Sequence, residues 1–328
     1  MATTTTQQTQ STKPTPVSRM RLDALVKGRQ VKPTRTLLYG VEGVGKSTFG
    51  AKAPSPIFIG AEDGTAHLDV TRFPMPATWS EVLDAVKTLT ADPHDFRTLT
   101  KEDHSFQTLV VDTLDWLEPL LWAHICERDG VPNIEAYGFA KGYIAALDEW
   151  RIFLAALERL RDQRGMHVIL LAHSWIKPFK NPEGNDFDRY ELKLHAKAGG
   201  LLKEWSDVVL FANYETFAEK DKATRRVKGM STGQRIIYTT RTAAYDAKNR
   251  YDLPEQMALD WDEYWTAVQA HRPADPKALE AAIRTNAEHL DGPLKAKVLE
   301  AITRAGGDAV KLAQLNTYTN TKVAEAAQ

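Results

Sequence analysis

Five short apolar runs punctuate the first two thirds of the chain: Thr36–Tyr39, Pro56–Gly60, Thr108–Asp112, His167–Ala172 and Val208–Ala212. Each is too short for an ordinary helix and lacks polar alternation, which predicts strands buried on both faces. Helical stretches lie between or after them: Ser47–Ala51, Trp79–Thr90, Leu114–Arg128 and the long Ala140–Arg164. Such alternation predicts a parallel sheet covered by helices on both sides. Gln234–Arg241 and Thr242–Asn249 are expected to add a strand pair at the sheet edge, and Arg21–Gly28 a short helix. Trp116, Trp122 and Trp150 sit in helical stretches and read as core.

The segment HRPADP at 271–276 marks a boundary. Beyond it, Ala278, Leu279, Ala282 and Ile283 form an apolar stripe. Asp291–Gly292–Pro293 and Gly306–Gly307 then divide two or three short helices. The expected organisation is a disordered tail over 1–19, a core domain over 20–270 and a small helical region over 271–328. The tail reading rests on its Thr, Gln, Ser and Pro content.

Composition narrows the classes. The 328 residues are 43% hydrophobic, enough for a substantial core, and the formal net charge is −1. A global electrostatic signature of nucleic-acid binding is therefore absent, and any basic surface must be local. Cys126 is the only cysteine, which excludes an intrachain disulfide and fits a reducing, cytoplasmic compartment. No apolar run reaches the roughly 18–20 residues of a membrane span, and the first residues lack a signal-peptide core. No Cys/His set has zinc spacing.

The stretch TRTLLYGVEGVGKSTFGAKA, residues 34–53, carries the clearest chemistry. Gly40, Gly45, Lys46 and Ser47 fit G-x-x-x-x-G-K-[ST] at the end of a strand and the start of a helix. The loop Gly40, Val41, Glu42, Gly43, Val44, Gly45, Lys46, Ser47, Thr48 would cradle phosphates with its N–H groups, and the glycines let the backbone approach closely. Lys46 would reach the β/γ-phosphates and Ser47 would bind Mg²⁺. TLVVD ends at Asp112, a carboxylate at a strand tip, where it would hold Mg²⁺ with Ser47. Thr113 follows it, so a water-activating base must come from elsewhere. Glu62 and Asp63, just past the second strand, are the candidates. The fourth strand ends in His173 and Ser174, and His173 is a candidate sensor of the γ-phosphate.

These motifs, in this order, resemble the RecA-like recombinase core: the phosphate loop, Ala61–Glu62, then Val110, Val111, Asp112, Thr113, then a strand with a polar end. More narrowly, YGVEGVGKST, VVDTLDWLEPLL, YGFAKGY, LLAHS and YDAKNRYDLPE are similar to the phage nucleotide-binding AAA-type family, which includes Sak-type single-strand annealing ATPases. The resemblance spans about residues 34–265. It implies an α/β fold: a RecA-like P-loop NTPase with a mostly parallel sheet flanked by helices, plus the small C-terminal helical region. It implies ATP and Mg²⁺ as cofactors and Glu62 as catalytic base. His173 stands where the family usually has Gln.

The resemblance also places two DNA-binding loops, at 136–147 and 177–200, with Lys141, Lys177, Lys193 and Lys197 as candidate contacts. DAKNRYDLP at 246–254 is similar to a segment whose basic residues, here Lys248 and Arg250, reach a neighbouring subunit's ATP. The implied partners are single-stranded DNA, further copies of the chain with ATP at their interfaces, and a single-strand binding protein. Lys193, His195 and Lys197 alternate at strand-like spacing and so are expected to share a face. Phe179, Phe187 and Tyr190 either stack bases or anchor the loop. Lys220–Lys228, with five basic residues to one acid, either tracks phosphates or is a solvated hairpin tip.

The expected function is a RecA-like ATPase acting on single-stranded DNA in phage recombination or replication, supporting annealing or strand exchange. One alternative is an ATPase that loads or regulates a replication protein. Another is a P-loop kinase for a small molecule, for which no acceptor site or Arg-rich lid is evident.

Overall fold

The structure, a computed structural model, describes residues 25, 31–62, 64–91, 104–220, 227–271 and 275–326. The chain divides into two compact units, residues 1–30 and 31–328. The expected tail and the Arg21–Gly28 helix fall in the first unit, outside the described residues save Leu25.

The second unit is built on one sheet. Its strands are β1 (Arg35–Gly40), β2 (Pro56–Gly60), β3 (Thr71–Arg72), β4 (Thr108–Asp112), β5 (His167–Phe179), β6 (Phe187–Leu192), β7 (Val208–Lys220), β8 (Val227–Tyr238), β9 (Lys248–Asn249) and β10 (Gln256–Ala258). The order is β10-β8-β7-β1-β5-β4-β2-β3, with β6 paired to β5 and β9 to β7. Strands β7, β1, β5, β4, β2 and β3 run parallel, and β6, β8, β9 and β10 pair antiparallel. This is the expected α/β class with a mostly parallel sheet.

The helices are α1 (Lys46–Ala51), α2 (Trp79–Thr90), α3 (Leu114–Asp129), α4 (Lys141–Arg164), α5 (Ala196–Trp205), α6 (Trp261–His271), α7 (Pro276–Ala287), α8 (Gly292–Ala305) and α9 (Ala309–Ala326). Alternate residues of each central strand face opposite layers, because the side-chain period of a strand is two. Leu37, Tyr39, Leu109, Val111, Val168 and Leu170 meet α2 to α5. Leu38, Val110, Ile169, Leu171 and Leu210 meet Phe49 of α1 and Trp261 and Tyr264 of α6. Trp79 and Trp150, both fully buried, meet edge to face at 5.5 Å between ring centroids. Trp116 corrects the expectation of a buried tryptophan: on α3 it is 52% exposed, while its neighbour Leu117 faces the core.

Two further expectations change. Gln234–Arg241 and Thr242–Asn249 do not pair with each other. The first lies largely in β8, a long hairpin partner of β7, and only Lys248–Asn249 forms a strand, also against β7. The stretch around Lys193, His195 and Lys197 is not a strand. Lys193 follows β6, His195 caps α5 and Lys197 lies in its first turn, so they share no strand face. In α7 the buried positions are Ile283 and Ala287, with Leu279 partly buried, while Ala278 and Ala282 are exposed. Asp275 and Asp291 accept hydrogen bonds from Lys277 N and Leu294 N, capping α7 and α8. Residues 221–226, the heart of the basic Lys220–Lys228 segment, lie outside the described residues, as do 272–274 of HRPADP.

The first glycine of the phosphate loop has a reason the sequence does not show. Gly40 closes β1 opposite Ala212 of β7. A Cβ at Gly40 would lie 2.1 Å from the Ala212 carbonyl oxygen. The strands pack here with no room for a side chain, and the obstacle is backbone. Gly40→Ala is expected to cost about 1–3 kcal/mol or more, read as a lower urea midpoint for the full chain. A midpoint equal to the parent's would show that β1 and β7 separate without cost.

Candidate functional site

The loop that follows β1 turns at the carboxyl edge of the sheet, where open parallel sheets form ligand crevices. Gly43 and Gly45 take φ values of 70° and 108°, a region that favours glycine. Gly45 leads into α1, whose first residue is Lys46. That lysine is 5% exposed. Its ammonium donates to the carbonyls of Gly40 at 3.2 Å and Val41 at 3.0 Å. Burial lowers its pKa against the opposing pull of Asp112, Asp115 and Glu62.

Three carboxylates therefore face the loop. Asp112, at the tip of β4, is 2% exposed, and burial raises its pKa while Ser47 and Lys46 pull it down. Its peptide bond to Thr113 is cis. Glu62, just past β2, is half-buried, and burial raises its pKa too. Asp115 was not singled out in the sequence. It lies in the first turn of α3, three residues beyond Asp112, and no local pattern marks it. Its Oδ1 accepts from the His173 amide and its Oδ2 meets His173 Nδ1, both at 2.9 Å. Burial raises the Asp115 pKa, but these bonds outweigh it and hold the carboxyl below its ordinary value. An ionised Asp115 fixes the proton of His173 on Nδ1 and leaves Nε2 uncommitted.

The structure thus brings Lys46, Glu62, Asp112 and His173 within electrostatic reach of one another, with Ser47 bonded to Asp112. Asp63 lies outside the described residues. Buried polar atoms ordinarily have partners. Here Asp112 Oδ1 and Ser174 Oγ are buried without one. A hydrated divalent cation fits that want of partners. Ser47 and Asp112 are the oxygen donors that would hold Mg²⁺, with water and phosphate completing its shell.

The candidate DNA residues separate. The segment at 177–200 is mostly a hairpin of β5 and β6, because β5 runs unbroken past His173 to Phe179. On it Trp175 and Ile176 are exposed, and Lys177 Nζ lies 3.7 Å from the centre of the Trp175 ring. Phe179 and Phe187 pack together at 5.2 Å, and Arg189 lies over Phe179, which favours an anchoring role for these rings. Lys193 sits at the phosphate loop, 3.7 Å from Glu42, with its amide on the His173 carbonyl. Lys177 and Lys197 gather about His195, whose pKa is lowered by burial and then by these two charges. His195 stacks on Tyr143 of α4 at 4.2 Å. Near the start of α4, Phe139 is 96% exposed on left-handed backbone, followed by Ala140 and Lys141.

Lys248 and Arg250 lie elsewhere. Lys248 pairs beside Val209 near the start of β7, whereas the phosphate loop leaves β1 at Gly40, opposite Ala212 further along β7. Its ammonium donates to the carbonyls of Lys203, Glu204 and Ser206, closing the C-terminus of α5. Arg250 pairs with Asp207 at 3.1 Å. Neither reaches the phosphate loop of its own chain.

A glycine loop with buried lysine, an acidic strand tip and a carboxylate facing both define a nucleotide-binding P-loop protein. The model of the AAA domain family matches residues 32–251, and the chain belongs to that family. Among solved structures, the RadB recombinase is similar at 13% identity and a TM-score of 0.34, covering 66% of this chain and 91% of its own. No curated protein matches. No helix among the described residues is long and apolar enough to cross a membrane.

One buried acid beside the site has a measurable consequence. Glu118 of α3, one turn beyond Asp115, is 4% exposed and accepts from the His195 amide at 3.0 Å. Burial raises its pKa to about 7. From about pH 4.5 to 7 the folded chain keeps this proton while the unfolded chain has released it. The fold binds more protons, so its stability falls as pH rises through that window and levels above it. Glu118→Gln keeps an acceptor and cannot titrate. It is expected to remove that fall in chemical denaturation across pH 5–7.5. The same fall in the variant would place the titration on another group.

Proposed function

We propose that the chain is a RecA-like ATPase that acts on single-stranded DNA in phage recombination or replication. The observation that supports this best is the continuity of β5. One strand carries His173, held by Asp115 beside Glu62, and then Trp175, Ile176 and Lys177, exposed on the hairpin. A change at the nucleotide has a direct backbone route to a surface suited to bases and phosphates.

In this reading Lys46 exchanges its two carbonyl partners for the terminal phosphates. Glu62, made more basic by burial, takes a proton from the attacking water. Mg²⁺ on Ser47 and Asp112 would neutralise phosphate charge. His173 Nε2 meets the γ-phosphate side of the crevice and its loss is felt along β5. Lys177, Lys197 and Lys141 form the DNA contact set, with Phe139 beside them as a stacking group. Lys193, at the phosphate loop, joins the nucleotide end of this set. ATP shared between subunits leaves Arg250 as the better trans cation, because Lys248 is committed to three carbonyls.

A second reading has one observation of its own. Ile176 is 61% exposed, and Lys177 already covers one face of Trp175. An apolar hairpin of this kind also fits a protein partner, as a loader of a replication protein needs.

Lys46→Ala is expected to abolish ATP turnover. Glu62→Gln should keep ATP binding and lose about 10²–10⁴ in rate. Parent-like turnover by Glu62→Gln would remove Glu62 as the base. Single-stranded DNA should stimulate the parent's hydrolysis. Lys177→Ala/Lys197→Ala should weaken DNA binding and flatten the log-affinity against log-salt slope by about 0.7 per lost contact. Stimulation by a replication protein but not by DNA would favour the second reading.

A further inference from the structure

The phosphate loop has a neighbour that none of its motifs includes. Arg235 lies on β8, directly opposite Tyr214 of β7. Tyr214 donates its hydroxyl to the Gly43 carbonyl at 3.0 Å, so this strand pair rests on the loop. A Cβ placed on Gly45 would lie 3.1 Å from Arg235 Nη1 and 3.9 Å from its Cδ. The guanidinium therefore lies across the residue that precedes Lys46. Its backbone is fixed on both sides, by the β7 register and by the Leu259 amide, which donates to the Arg235 carbonyl at 2.9 Å.

Among the described residues no carboxylate pairs with Arg235, and its side chain is exposed. Lys193, on the same loop's rim, has Glu42; Lys52, just past α1, has Asp260. Lys46 already has Asp112, Asp115 and Glu62 facing it, whereas Arg235 adds a second cation over Gly45 that no described carboxylate pairs with. An anion arriving in the loop supplies that partner.

The geometry points to Arg235 as a phosphate-binding residue acting in cis, a cation from β8 that joins Lys46 on the polyphosphate of a bound nucleotide. The proposal rests on the P-loop reading and adds a residue to it. Arginine suits the task because its planar fork can bond two phosphate oxygens at once. It also gives the β7–β8 hairpin a direct hold on nucleotide, since one strand pair would touch both loop and phosphate.

The test is nucleotide binding by the full chain, measured by calorimetry with ATP, ADP and AMP. Arg235→Met keeps the aliphatic stem over Gly45 and removes the charge. It is expected to weaken ATP and ADP binding by about tenfold or more, the scale of a charge-assisted hydrogen bond, and AMP binding less. Arg235→Lys should recover part of the loss. A thermal melt without nucleotide should match the parent's, since the side chain is exposed. ATP binding by Arg235→Met equal to the parent's would overturn the proposal and leave Arg235 a packing residue, while Lys46→Ala still bound poorly. If Lys46→Ala bound ATP as tightly as the parent, the P-loop reading itself would fail and Arg235 with it.

Discussion

A lysine ammonium is buried at the carboxyl edge of a parallel sheet, and three carboxylates surround it. Lys46 cannot be left unpaired there, because a charge removed from water is costly without partners. The loop carbonyls of Gly40 and Val41 hold it in the chain as described. The acids that face it arrive from three separate strand or helix ends: Glu62 past β2, Asp112 at β4 and Asp115 in α3. Only a sheet with β1 placed beside β5, and β4 between β5 and β2, brings them to one crevice. The hydrophobic layers above and below that sheet serve this arrangement by excluding water from its tips.

The far side of the site is organised by α3. Successive turns present Asp115 to His173 and Glu118 to the start of α5. One helix thereby orients both His173 at the carboxyl edge of the sheet and the cap of the helix that follows the hairpin. Tyr143 stacked on His195 adds the start of α4 to the same group. Nucleotide site, hairpin and the two regions compared with DNA loops are thus in contact through side chains that are themselves buried or stacked, and such packed contacts have discrete rather than gradual alternatives.

The amino edge of the sheet has its own ion network. Arg35 bonds Asp207 at 2.7 Å and Glu158 at 3.0 Å, and Arg250 shares Asp207. Asp207 is raised by burial yet held below its ordinary pKa by Arg35. Lys248 closes α5 nearby. The basic residues of the 246–254 segment therefore stabilise the end of the sheet remote from the chain's own phosphate loop. Any role at a nucleotide would be played toward another copy.

The sequence alone determined the sheet and its loop. Short apolar runs between helices specify parallel strands because a strand buried on both faces has no polar side to offer. The G-x-x-x-x-G-K-[ST] spacing specifies a phosphate loop because backbone N–H groups need those glycines. Glu62, Asp112 and His173 were legible as polar residues at the ends of apolar strands. Asp115 was not, since its role exists only when α3 lies against the end of β5. Lys193 looked like part of a basic loop and sits instead at Glu42, because β6 folds back along β5. Gly40 looked like a phosphate contact and is also a packing necessity, set by a β7 carbonyl 172 residues away in sequence. Arg235 carried no motif at all. Its place over Gly45 was decided by the register of β7 with β8, a pairing between distant residues that no local pattern encodes.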